Sequence, residues 1–146
     1  MGAMVRVVLL LGVGGRYCNL FDGFCRAARL AGGWGGEDDL SLYKLCATAK
    51  EAADHIEGFY RVYHSSRYIK DDLVIRLKRV LSDADVAGLN KRFASLIKPG
   101  GLAMHMRGPF PVEDDHLGLP RLVFTHTRHA YGKVRQLIDA INACGG

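Results

Sequence analysis

The chain has 146 residues, 49% hydrophobic and 24% charged, with a net charge of +5. That size and balance suit one folded domain whose core needs no staples. The 20 Lys and Arg residues form no block of five or six like charges, which excludes a basic tail, and the longest apolar run, 7–13, is too short to span a membrane.

Val5 to Leu11 is a continuous, β-branched apolar run, the pattern of a strand buried on both faces of a parallel sheet. Gly12, Gly14 and Gly15 turn the chain, and Phe21, Phe24, Cys25 and Ala28 then recur at helical spacing. Gly32 and Gly33 end that helix. Leu42 to Ala47 predicts a second strand, and Thr48-x-x-Glu51 matches a capping box ahead of the apolar stripe Ala52, Ile56, Phe59, Tyr60 and Tyr63. Residues 5–64 therefore read as a partial Rossmann-like β-α-β-α half with parallel strands.

The stretch 57–79, EGFYRVYHSSRYIKDDLVIRLKR, reads as a helix end, a polar turn crowded with aromatic and basic residues, and a strand. In that strand Leu73, Ile75 and Leu77 alternate with Val74, Arg76 and Lys78, as on a half-solvated surface. Ser82-x-x-Asp85 opens a helix carrying Val86, Leu89, Phe93, Leu96 and Ile97, and Pro99-Gly100-Gly101 stops it. Leu102, Met104 and Met106 alternate in a further strand, 108–119 is a turn-rich loop, and Leu122 and Phe124 mark a strand antiparallel to the previous one. Tyr131, Val134, Leu137, Ile138 and Ile141 close the chain as a helix. Residues 65–146 thus form a β-α-β-β-α half, and the whole is a single α/β domain, 1–146, with a mixed sheet. Two parallel strands alone cannot cover their own faces, so a homo-oligomer is expected.

Chemistry-bearing residues are sparse. His64, Ser65, Ser66, Arg67 and Lys70 bring hydroxyls, a guanidinium, an ammonium and turn amides together, a set suited to an anion or phosphate. The bland alternative is a helix end whose basic residues complement the helix dipole. Gly12-x-Gly14-Gly15 lacks the third glycine and the acidic partner of a dinucleotide fingerprint, so no cofactor is expected. His126-x-x-His129, with His116, Asp114 and Asp115 upstream, fits no zinc framework, so no metal is expected. Tyr60, Tyr63 and Tyr68 interleave with basic residues as in nucleic-acid binders, but two of them lie on the apolar stripe, so nucleic acid is not the expected partner. The four cysteines form no C-x-x-C pair, and only Arg6 precedes the apolar run, so a reduced cytoplasmic protein is expected.

Two segments, FYRVYHSSRYIKDDLVIRLKR (59–79) and LPRLVFTHTRHAYGKVRQLIDAIN (119–142), resemble the C-terminal portion of a longer subgroup of the Lonely Guy (LOG) family, the "lysine decarboxylase-like" Rossmann proteins. VVLLLGVGGRYCNLFDGF (7–24) resembles, more loosely, the late strand, loop and helix of that family. The resemblance implies relatedness to enzymes that cleave the N-glycosidic bond of nucleoside 5′-monophosphates. The family's catalytic P-G-G-x-G-T-x-x-E is absent, because Pro99-Gly100-Gly101 continues as Leu102-Ala103. No catalytic residue carries over. The resemblance implies a non-catalytic relative that self-associates and binds a nucleotide monophosphate or phosphate. Its alternatives are half of a split enzyme, completed by a partner chain carrying the motif, or a small nucleic-acid- or anion-binding module.

Overall fold

A computed structural model describes residues 8–11 and 43–144. The expected helix around 20–30 and the glycine turns at 12–15 and 32–36 lie outside those residues, as do Cys18 and Cys25. Strand β1 (Val8–Leu11) pairs in parallel with β2 (Tyr43–Cys46), in register from Val8 opposite Tyr43 to Leu11 opposite Cys46. Helix α1 (Ala49–Phe59) follows. Its cap differs slightly from a standard box: Thr48 Oγ1 accepts from the Glu51 amide at 3.1 Å, while Glu51 reaches one residue further back, to the Ala47 amide at 3.0 Å. The helix also stops sooner than its stripe suggests, leaving Tyr63 in the next strand, and Ile56, within the helix, is exposed.

That strand corrects the expectation for 57–79. The segment read as a polar turn is β3 (Tyr63–Ile69), antiparallel to β4 (Asp72–Leu77). The true turn is Lys70-Asp71, where Lys70 adopts φ 55°. After β4 comes α2 (Asp83–Arg92), closed at its start by a reciprocal box: Ser82 Oγ accepts from the Asp85 amide at 3.1 Å, and Asp85 Oδ2 accepts from the Ser82 amide at 3.4 Å. It ends at Arg92, so Pro99-Gly100-Gly101 is not its stop. A 3₁₀ turn at Ala94–Leu96 intervenes. The Pro99-Gly100 pair instead makes a tight turn of its own, with Gly100 at φ 76° and the Gly101 amide bonded to the Lys98 carbonyl at 2.8 Å. Strand β5 (His105–Arg107), strand β6 (Arg121–Thr125) and helix α3 (Tyr131–Ala143) complete the fold.

The chain is α/β, with parallel and antiparallel pairing in separate sheets among the described residues: β1–β2, and a four-stranded antiparallel sheet in the order β3-β4-β6-β5. Register explains the core. Leu73 lies opposite Phe124 and Ile75 opposite Leu122, so these residues share one face. They cluster with Leu89 and Phe93, and with Val134, Leu137, Ile138 and Ile141 of α3. Val74 and Arg76 point to the other face, opposite Val123 and Arg121. That face is not half-solvated as the alternation predicts: Val74 and Val123 are buried and Arg76 is only 5% exposed.

Candidate functional site

The head of β3 carries a bulge. Tyr63 pairs with Leu77 and Ser65 with Arg76, leaving His64 as the additional residue. A bulge re-aims its side chain, and here the His64 ring meets that of His116, in the 108–120 loop, at a centroid distance of 4.5 Å. His64 Nδ1 also lies 2.9 Å from Ser65 Oγ. Burial holds the His64 pKa below its ordinary 6.5, helped by His116, Lys78 and Arg76 and opposed by Asp115. The imidazole is therefore neutral from 6.5 upward, beside the Lys78 and Arg76 cations.

Strand geometry separates the five residues expected to bind an anion. Ser66 turns toward the core, is buried, and bonds the Tyr63 hydroxyl at 3.1 Å. Ser65 and Arg67 lie on the opposite face, across from Arg76 and Val74. The Arg67 guanidinium makes no hydrogen bond or ion pair with any described residue, and neither does the Lys70 ammonium at the hairpin tip. The neighbouring carboxylates are engaged elsewhere: Asp71 lies 3.5 Å from the Lys98 ammonium, and Asp72 accepts from the Thr125 hydroxyl at 2.7 Å. Ser66 thus leaves the set, Ser65 and Arg67 share one face, and His64 and Lys70 stand at opposite ends of the strand.

Beside them sits a cluster that alternation in the sequence concealed. Glu113 enters the sheet face from the loop and meets two arginines that lie opposite one another on β4 and β6. Arg76 donates to Glu113 Oε1 through Nη2 at 3.0 Å and to Asp115 Oδ1 at 2.6 Å. Arg121, fully buried, donates through Nε to Glu113 Oε2 at 3.1 Å and through Nη1 to the His116 carbonyl at 2.8 Å. The Phe110 amide adds a third donor to the carboxylate, at 2.8 Å. Burial alone pushes the Glu113 pKa up, but the bonds from Arg121, Phe110 and Arg76 prevail and bring it to about 2. The carboxylate, together with Asp115 on Arg76, balances the two arginines, and it pins the loop. No local sequence pattern marks this, because the partners lie 37 and 8 residues apart.

At the far end of β3, Tyr68 donates its hydroxyl proton to Nδ1 of buried His126 at 2.5 Å, and His126 Nε2 donates to the His129 carbonyl at 3.1 Å. Burial raises the Tyr68 pKa well above the ordinary phenol value, with Tyr131 adding to it. A phenol so held is a poor nucleophile or acid, so this pair is an anchor rather than a catalytic dyad. Tyr63 is buried, Tyr60 stacks on it at 5.9 Å, and Arg128 covers the Tyr68 ring at 4.2 Å, which occupies the three rings available for base stacking.

A cleft of about 620 Å³ lies between α1 and α3, lined by Asp54, His55, Arg61 and Asp139 among others; it includes none of His64, Ser65, Ser66, Arg67 or Lys70. Cys46 and Cys144 are free thiols. Among the described residues no group of three or more His, Cys, Asp or Glu is placed to hold a metal ion, and no helix is long and apolar enough to cross a membrane. No protein-family model, curated protein or solved structure matches the chain.

Proposed function

We propose that the protein is a non-catalytic relative of the LOG-type phosphoribohydrolases that binds the phosphate of a nucleoside monophosphate along β3 and works as a self-associated assembly. The observation that carries the reading is that, among the described residues, Arg67 and Lys70 have no counter-ion, Arg67 lying on the same strand face as the Ser65 hydroxyl and Lys70 in the turn that ends β3. A guanidinium offers a fork of donors matched to phosphate oxygens, and a nearby ammonium adds charge without geometric demand. The anchored phenol of Tyr68 and the committed carboxylates nearby provide no general acid or base, which favours binding over turnover. Self-association is supported, among the described strands, by the position of β3 at a sheet edge and by a parallel pair only two strands wide.

Calorimetric titration with AMP, run beside a ribose 5-phosphate release assay, tests the reading. Binding without turnover, lost in Arg67→Ala, is the expected result. Turnover by the chain alone overturns it. Turnover only when a chain bearing P-G-G-x-G-T-x-x-E is added points instead to a split enzyme.

A further inference from the structure

His126 sits at the start of a strap, residues 126–130, that crosses from β6 to α3 over the end of β3. Two of its residues, Arg128 at φ 61° and Ala130 at φ 55°, occupy the left-handed region without being glycine. Side chains hold that conformation only where surrounding contacts impose it. Here the contacts converge on β3 and the β3–β4 turn: the Arg128 guanidinium lies over Tyr68, Arg128 Nη2 donates to the Lys70 carbonyl at 2.6 Å, and the His126 amide bonds the Asp71 carbonyl at 3.1 Å.

We propose that His126 is a proton-operated latch: neutral, it holds the strap and Arg128 against Tyr68, and protonated at Nδ1 it lets them detach. The latch rests on burial and like charge, since His126 is buried and stacks on the Tyr68 ring that the Arg128 guanidinium covers. The His129 carbonyl accepts from Nε2 and so fixes the proton there, leaving Nδ1 as the acceptor that Tyr68 requires. A second proton on Nδ1 removes that acceptor, and the Tyr68 oxygen must then accept from Nδ1 and turn its own proton toward Tyr131, to which it is also bonded.

No opposite charge compensates. On the strap stand Arg128 and His129; from β3 and α3 come the neutral phenols of Tyr68 and Tyr131. Of the carboxylates at the β3–β4 turn, Asp71 lies 3.5 Å from the Lys98 ammonium and Asp72 accepts from the Thr125 hydroxyl, and neither is among the charges that act on His126. A buried imidazolium there lies near a guanidinium with no carboxylate to offset it. Burial accordingly lowers the His126 pKa below its ordinary 6.5, with Arg128 and His129 adding to it, against the bond to the His129 carbonyl. The closed strap is therefore complete above 6.5 and is lost as pH falls through the lower, folded-state value. This inference does not depend on the anion reading, although Lys70 belongs to both.

The test is nuclear magnetic resonance of the intact chain from about pH 7 to about pH 4, the range in which histidine charges. It follows the His126 ring nitrogens together with hydrogen exchange at the Thr127 amide, which is bonded to the Leu96 carbonyl at 3.1 Å. The expected result is a single midpoint for both. Within that window the opening constant, corrected for intrinsic exchange, rises about tenfold per pH unit. In His126→Gln, which cannot titrate, the same amide is flat across the window. Charging of His126 with the strap unmoved overturns the latch, and so does a ring that stays neutral until the whole chain unfolds. If the variant does not fold, coincidence or separation of the two wild-type midpoints decides.

Discussion

Arg121 is buried completely, and its Nε donates at 3.1 Å to Glu113, a residue of the loop that precedes its own strand. The same carboxylate accepts from Arg76 on the adjacent strand, so one loop acid joins β4 to β6 on the face away from the helices. Replacing it leaves two guanidiniums on that face with Asp115, half-exposed and bonded to Arg76, as the one carboxylate among their described partners.

Glu113→Gln is therefore expected to cost about 3–5 kcal/mol, the usual range for breaking one member of a buried ion cluster. Urea unfolding of the variant measures it. A loss below about 1 kcal/mol, typical of exposed pairs, would show that the clasp contributes little.

The same carboxylate sets an acid limit. Its pKa is near 4.5 in the unfolded chain and about 2 in the folded one, so between those values the unfolded chain holds more protons. The stability from Glu113 is present above 4.5 and drains away as pH falls toward 2. Wild-type stability should slope downward across that interval, and the slope should flatten in Glu113→Gln. Equal slopes in both proteins would place the acid sensitivity elsewhere.

Local signals made much of the fold legible. The alternation at 73–77 and 122–125 gave strands on the correct faces, and Ser82-x-x-Asp85 marked a helix start that the structure realises with both bonds. β3 was hidden because its core-facing side chains include Ser66 and Tyr68, so its pattern lacks an apolar period, while its bulge breaks the alternation at His64. The Arg76–Glu113–Arg121 cluster was hidden for a different reason. Alternation reports which face a residue takes, not what covers that face, and Glu113 arrives from a loop that pattern cannot place. The five-residue anion set was read as one turn, and its division between two faces follows from the strand that replaced that turn.

Asn142 illustrates the same long reach. From the last turn of α3 its Oδ1 accepts the amides of Val62 at 2.8 Å and Tyr63 at 3.1 Å, and its Nδ2 donates to the Phe59 carbonyl at 2.6 Å. One buried amide thus ties the end of α1 and the head of β3 to the closing helix. Asn142→Ala orphans three backbone groups, each worth about 1–3 kcal/mol when buried without a partner. Thermal unfolding should show a loss of at least the lower figure. An unchanged midpoint would mean that solvent reaches these groups and replaces the side chain.

Gly101 offers a steric test of the Pro99-Gly100-Gly101 turn. A Cβ built there would stand 2.6 Å from Cβ of Thr125 and 2.9 Å from its Cγ2. The Leu102 amide donates to Thr125 Oγ1 at 2.9 Å, and the Lys98 amide to the Thr125 carbonyl at 2.8 Å, so the turn is bound to β6 and cannot easily back away. Gly101→Ala is expected to destabilise by about 1–3 kcal/mol, the range for overpacking a closed contact. Gly88, on α2, has open space where its Cβ would go, and Gly88→Ala should stabilise by up to about 1 kcal/mol through helix propensity. Chemical denaturation of the two variants side by side should give opposite signs. A stabilised Gly101→Ala would show that the turn does not press on Thr125 as closely as these contacts require.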